Sequence, residues 1–242
     1  MQPIIIIPAR LASQRLYAKA LKSIGEKPLV QHVWERAIES GIGKVYVATD
    51  HTSIAEVVQD FGGEVVMTDP STPSGTDRVA EALLNIDERP DVVINLQGDL
   101  PFINALQIQR VLDPIKQGYD VGTLITFMEK SKQENESCVK AVVSAQSDES
   151  TKRCHWFCRA ALPYGHFHLG VYAYKPDVLQ KFYETPQHPL ELQEKLEQLR
   201  FLTSGFTLGA SLVDSLALEV NTPGDLMHVR RVIEESGSTL TQ

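Results

Sequence analysis

Between residues 4 and 118 the chain alternates short apolar runs with stretches of helical periodicity, and few folds accept that rhythm. Residues 4–7, "IIII", form an unbroken β-branched run, as expected of a strand buried on both faces. The stretch "KPLVQHVWERAIES" (27–40) sets Leu29, Val33 and Ala37 on one helical face, with a proline near its start and Gly41 beyond its end. "KVYVATD" then reads as a strand, "TSIAEVVQDFGG" as a helix capped by Thr52 or Ser53, and "EVVMT" as a strand. "GTDRVAEALLNI" is a helix, "DVVINL" a strand and "NALQIQRVLDPIKQG" a helix. Strands and helices joined by short links predict a doubly wound α/β fold, a mostly parallel sheet flanked by helices.

After residue 120 the rhythm changes. "DVGTLITFM", "VKAVVS", "HWFCRA" and "HLGVYAYK" read as strands, linked by the charged loops "EKSKQENES" and "SAQSDESTK". Such a β-rich excursion suggests a sheet extension or a dimerisation lobe over about residues 120–185, within a single domain spanning 1–242. Helix returns at "PLELQEKLEQLRFL", with Leu192, Leu196 and Leu199 on one face, and at "PGDLMHVRRVIEE"; the tail "SGSTLTQ" is expected to fray. Trp34 and Trp156 are expected in cores.

Charge narrows the partners. The formal net charge is -8 and the isoelectric point about 5.4, so no overall basic surface exists to displace counterions from a nucleic acid. The three cysteines, Cys138, Cys154 and Cys158, lack zinc-ligand spacing and read as reduced cytosolic thiols. The first ten residues carry only four consecutive apolar residues and no small-residue cleavage site, and no stretch approaches 18 apolar residues, so neither signal peptide nor membrane span is expected. The expected location is the cytoplasm.

Against this acidic background a basic cluster stands out. Arg10, Arg15 and Lys19 lie within ten residues after the first strand, where an open parallel sheet binds ligands. Arginine pairs phosphate oxygens in a bidentate fork and lysine acts as a point charge, so a small anion is one reading and a solvated loop the other. In "PSGTDR" (73–78), Ser74 and Gly75 would let backbone amides approach a ligand at a helix start, with Arg78 one turn in; an ordinary helix cap is the plainer reading. "NLQGDLP" puts Asp99 at a strand end, where a lone carboxylate can hold Mg²⁺ beside nucleotide phosphates or cap a helix. His166 and His168 share one strand face without metal-site spacing, and His168 could donate to a substrate hydroxyl. Neither G-x-G-x-x-G nor G-x-x-x-x-G-K-[ST] occurs.

Taken in order, "PARLASQRLYAKAL", "VATDH", "PSGTDR", "NLQGDLP", "CRAALPYG", "HLGVYAY", "PLELQEKLEQLR" and "NTPGDL" resemble the sugar-activating cytidylyltransferases. The likeness is greatest to the 3-deoxy-manno-octulosonate (KDO) cytidylyltransferase, or CMP-KDO synthetase, family. The resemblance implies a nucleotide-diphospho-sugar transferase (Rossmann-like) fold, a homodimer, Mg²⁺ as cofactor, and the reaction of CTP with KDO to give CMP-KDO and pyrophosphate for lipopolysaccharide. Alternatives are the same chemistry on 8-amino-KDO or another 2-keto sugar acid, and a non-catalytic sugar-nucleotide-binding homologue.

The resemblance also implies roles. Arg10, Ser13, Arg15 and Lys19 would hold the triphosphate, with Lys19 serving the leaving pyrophosphate. Pro8, Ala9, Ser74 and Arg78 would frame cytosine and ribose, with Gly75 beside them. Gln97, Arg159, His168, Tyr172, Glu197 and Gln198 would face the sugar acid, Arg159 its carboxylate. Asp99 and Asn221 would hold the metal. Four departures stand out. The loop "RLPGKPL" of the family is "RLYAKAL" here, placing Ala18 at a glycine position. Leu100 stands where glutamate is common, and "FSRA" has become "FCRA" at Cys158. Asn221 replaces an aspartate, which removes a negative charge and should weaken metal binding.

Overall fold

The computed structural model describes residues 1–13, 15–129, 133–144, 151–214 and 218–239, the last four as backbone only. Parts of the two charged loops (130–132 and 145–150) and the end of the tail (240–242) lie outside the described residues. In chain order the elements are β1 (Pro3–Ala9), a 3₁₀ turn (Lys19–Leu21), β2 (Ser23–Ile24), β3 (Lys27–Pro28), α1 (Leu29–Glu39), β4 (Val45–Thr49), α2 (Thr52–Asp60) and β5 (Glu64–Met67). These are followed by α3 (Gly75–Leu84), β6 (Val92–Leu96), α4 (Ala105–Arg110), α5 (Asp113–Lys116), β7 (Val121–Phe127), β8 (Lys140–Val143), β9 (Thr151–Cys158) and β10 (His166–Tyr174). The chain closes with α6 (Pro176–Glu184), α7 (Pro189–Glu194), α8 (Gln198–Thr203), β11 (Leu208–Leu212) and α9 (Pro223–Thr239). Among the described residues no helix is long and apolar enough to cross a membrane.

The chain divides into two compact units. One comprises residues 4–87, 96–105 and 217–242. Its strands β5, β4 and β1 pair in parallel, β1 at the register Ile5 to Val45 and β4 at Tyr46 to Glu64. Ile5, Ile6 and Ile7 are wholly buried, as the β-branched run requires of a central strand. Helix α1 buries Leu29, Val30, Val33 and Ala37, and α2 buries Ile54, Ala55 and Val58, so the 3.6-residue period is satisfied on one face of each. The cap of α2 is His51, not Thr52 or Ser53: its Nδ1 accepts from the Ser53 amide at 3.2 Å. Trp34 is half-buried and packs on Phe61, the ring centroids 5.1 Å apart.

The other unit comprises residues 1–3, 88–95 and 106–216, and its sheet runs β6-β10-β7-β11-β9-β8. Here pairing is mixed: β10 with β7 and β11 with β9 are antiparallel, β11 with β7 parallel. The strands expected after residue 120 are thus members of this sheet, and β11 is an additional one that sequence periodicity did not reveal. Two long helices expected from sequence are each broken. The segment 104–118 becomes α4 and α5, because Pro114 cannot continue a helix that began at Ala105. Gly122 and Gly209, opposite each other on β7 and β11, let that broken segment lie close: a Cβ at 209 would sit 2.8 Å from Pro114 Cβ. The segment 189–202 breaks at Lys195, which is left-handed (φ 55°); Leu196 and Leu199 are buried, but Leu192 is exposed. Trp156 is half-buried on β9. The last helix runs through Thr239, past the start of the stretch expected to fray.

Candidate active site

The first unit gathers the basic loop, Asp99 and Asn221. Beyond β1 the chain enters the 3₁₀ turn at Lys19 with Ala18 at φ 50°, ψ 39°, the left-handed region where glycine is at ease. A conformation usually left to glycine is therefore adopted by an alanine. That turn carries Lys19 to Asp99: Nζ donates to Oδ2 at 2.9 Å, and both side chains are about one-fifth exposed. Asn221 completes the group. Its Oδ1 accepts from Arg15 Nη2 at 2.9 Å and lies 3.5 Å from Lys19 Nζ. Backbone bonding holds the partners in place. The Val220 amide donates to the Asp99 carbonyl at 2.9 Å, and the amides of Asn221 and Thr222 donate to Asp225 in the first turn of α9.

Sequence reasoning missed one member. Glu219 Oε2 accepts from Asn221 Nδ2 at 2.9 Å. Burial, then the Asp99 charge, push its carboxyl up to about 7, while Lys19, the Asn221 bond and Arg15 pull the other way. Its only sequence signal was a charged residue two places from Asn221.

Around this group lies a brace. Ser74 caps α3, accepting from the Asp77 amide at 3.1 Å and donating to Asp77 Oδ2 at 2.5 Å. Gly75 follows, where a Cβ would meet the Gln97 amide at 3.1 Å; Gln97 therefore sits against the start of α3. Arg78 is 2% exposed, bonded to Thr68 and, at 3.2 Å, to Asp50 Oδ2. Asp50 Oδ1 in turn accepts from the Leu11 amide at 3.1 Å. Arg78 thus anchors the basic loop through Asp50, a residue whose role sequence reading did not assign. Arg10 is exposed, Ser13 and Pro8 are half-buried, and Ala9 is buried. Leu100 is buried at 1% exposure and so belongs to the core.

The second unit holds five of the six residues expected to face the sugar acid; Gln97 belongs with the first. Arg159 is half-buried, its Nη1 donating to the carbonyls of Glu136 (3.2 Å) and Ser137 (3.4 Å) and its amide to Glu194 Oε2 at 3.2 Å. Lys140, wholly buried, donates to the carbonyls of Arg159 (2.8 Å) and Asn135 (2.7 Å), and so pins the arginine's backbone. His168 is 3% exposed, and burial, with Arg159 adding, pulls its pKa down to about 3. Thr123 Oγ1 spends its proton on the Val171 carbonyl at 2.8 Å, so at 2.9 Å it accepts from His168 Nε2–H. Neutral His168 can then accept at Nδ1 but has no second proton to donate, the reverse of the direction expected from sequence. Tyr172 is buried against His168, Gln198 is buried, and Glu197 half-buried. The described cysteines form no disulfide, and burial pushes Cys154 up to about 12.

Among the described residues no three His, Cys, Asp or Glu side chains form a metal cage. What the first unit offers is cations beside one strand-end carboxylate and an amide oxygen, a set suited to binding a polyphosphate and neutralising charge on it. The chain belongs to the cytidylyltransferase family, whose pattern matches residues 4–211. Among its relatives, 3-deoxy-manno-octulosonate cytidylyltransferase of Paramagnetospirillum magneticum is 40% identical over 242 residues, covering 97% of this chain and 98% of the relative. The enzyme of the same name from a Methylobacterium species is 43% identical over 238 residues, 96% of each chain. A solved CMP:2-keto-3-deoxy-manno-octonic acid synthetase complexed with CTP superposes with a TM-score of 0.89 at 34% identity, over 98% of this chain and 100% of that one. A nucleotidyl transferase from Methanothermobacter, 13% identical with a TM-score of 0.62 over 97% and 99% of the two chains, shares the fold alone. The family and fold expected from the sequence are those found.

Proposed function

We propose that this chain activates 3-deoxy-manno-octulosonate with CTP, releasing pyrophosphate and forming CMP-KDO for lipopolysaccharide. The observation that carries this reading is the Lys19 ammonium held 2.9 Å from Asp99, with Arg15 and Asn221 beside it, at the end of the loop that follows β1. In the reaction the anomeric hydroxyl attacks the α-phosphorus in line, so placement and charge neutralisation dominate catalysis. Arg10, Ser13 and Arg15 bind phosphate oxygens, and Lys19 moves from Asp99 to the charge that develops on the leaving pyrophosphate. Pro8, Ala9, Ser74, Gly75 and Arg78 frame the nucleoside, Arg78 through the Asp50 brace. Arg159 takes the sugar acid's carboxylate, with Gln97, His168, Tyr172, Glu197 and Gln198 reading its hydroxyls.

Mg²⁺ is the proposed cofactor, held by Asp99 and the Asn221 oxygen. Oxygen donors suit this hard cation, and with one carboxylate and one amide the remaining ligands must come from phosphate and water. When bound it neutralises phosphate charge as the α-phosphorus is attacked. The β-rich stretch 120–185 is proposed to carry the sugar-acid contacts and a homodimer interface; Phe127 and Tyr164, 64% and 60% exposed, are apolar surface that a second copy would cover. The cytoplasmic location rests on the sequence.

The test is pyrophosphate release with CTP, UTP and ATP against a panel of KDO, 8-amino-KDO and other 2-keto sugar acids. CTP with KDO is expected to turn over fastest. Equal turnover with UTP would overturn the cytidine assignment, and a faster acid would replace KDO.

A further inference from the structure

The Asn221 amide can turn either end toward the phosphate and metal side of the site, and only one end is useful. Its oxygen can coordinate Mg²⁺, whereas its NH₂ group presents donors to a cation. An aspartate has no wrong end, so the replacement at 221 creates an orientation problem as well as a lost charge.

Three contacts set the orientation. Arg15 Nη2 donates to Oδ1 at 2.9 Å, Lys19 Nζ lies 3.5 Å from the same oxygen, and Nδ2 donates to Glu219 Oε2 at 2.9 Å. Arg15 and Lys19 are the side chains proposed to turn to the triphosphate, so their hold on Oδ1 is lost when it is needed. The Glu219 contact uses the other end of the amide and is independent of the phosphates. The backbone is already fixed by the Val220 and Asn221 amide bonds, which leaves the amide's own rotation as the freedom to be controlled.

We infer that Glu219 is a positioning residue for the metal site: as acceptor for Asn221 Nδ2 it keeps Oδ1 turned toward Asp99 and Lys19. This rests on the proposed Mg²⁺ site. A partner that orients a ligand from behind is worth about 10- to 100-fold in metal affinity. Glutamine at 219 retains an acceptor oxygen, whereas leucine retains the bulk and removes it.

The experiment is isothermal titration of CTP into the protein with excess Mn²⁺ and, separately, with EDTA; the ratio of the two affinities measures how far metal supports nucleotide binding. The wild type is expected to bind CTP more tightly with Mn²⁺. Glu219→Leu is expected to lower the ratio about tenfold or more, the larger loss falling on the Mn²⁺ titration. Glu219→Gln should stay within about threefold of wild type, an acceptor being all that the contact requires. Adding Asn221→Asp to Glu219→Leu should restore the ratio. The inference is overturned if Glu219→Leu keeps the wild-type ratio, if it weakens both titrations equally, if Glu219→Gln loses as much as leucine, or if Asn221→Asp fails to rescue. A wild type that gains nothing from Mn²⁺ overturns the metal site itself, and that arm is read without any variant.

Discussion

Ala18 offers a sharp test of how the Lys19 turn is built. At φ 50° and ψ 39° its Cβ crowds the following carbonyl, which costs an L-residue about 1–2 kcal/mol. Glycine avoids that clash but surrenders about 0.5–1 kcal/mol more backbone entropy on folding. The difference leaves Ala18→Gly more stable by about 0.5–1 kcal/mol, or about 1–4 °C in Tm for a chain of this length. The turn's own bonds, Ala18 N to the Leu11 carbonyl at 3.1 Å and Leu21 N to the Ala18 carbonyl at 3.0 Å, use only backbone and survive the change. The assay is urea denaturation followed by tryptophan fluorescence, with Trp34 in the same unit as the probe. The midpoint should rise at unchanged m-value, and Ala18→Val should lower it, since a β-branched residue suits positive φ still less. A midpoint that falls on Ala18→Gly would mean that residue 18 is not left-handed in solution and that Lys19 reaches Asp99 by another route.

Lys19→Ala should lower kcat by about 10² or more if the lysine serves charge developing on the leaving group, read by pyrophosphate release; a change in KM alone would limit it to ground-state binding. Asp99→Asn should nearly abolish turnover, and Asn221→Asp should lower the Mg²⁺ concentration for half-maximal rate, measured at saturating CTP and sugar acid; an unmoved midpoint would remove Asn221 from the metal. Because the His168 pKa is about 3 folded and about 6.5 unfolded, the unfolded chain takes up the proton first as pH falls. Its stabilisation is full above about pH 6.5 and is lost toward pH 3 by about 1.4 kcal/mol per unit, a slope that denaturation of His168→Gln should lack. Glu191→Gln should destabilise the second unit by about 3–5 kcal/mol, since Arg200, bonded to Glu191 at 2.7 and 2.8 Å and 2% exposed, would stay buried without its counter-charge; denaturant midpoints near wild type would refute this.

Local pattern was enough for much of the molecule. The isoleucine run could only be a buried strand, the period of α1 and α2 placed their apolar faces, and Arg15, Lys19 and Asp99 were legible because strand ends followed by charged loops are where such sheets bind ligands. The order of short motifs by itself pointed to the cytidylyltransferases. Three kinds of information were not local. Whether 189–202 ran on or broke depended on a left-handed Lys195, and β11 carries the short stretch "LGASL", identifiable only through its pairing with β7 and β9. The direction of the His168 hydrogen bond depended on Thr123, 45 residues away, and on where that hydroxyl's single proton goes. Glu219 and Asp50 acquired meaning only when folding brought them to Asn221 and Arg78. Sequence by itself determined which segments must be buried and which charges the loops carry, because periodicity and composition act over a few residues. Tertiary structure alone decided which polar groups face one another, because burial makes each donor and acceptor find a partner from a distant part of the chain.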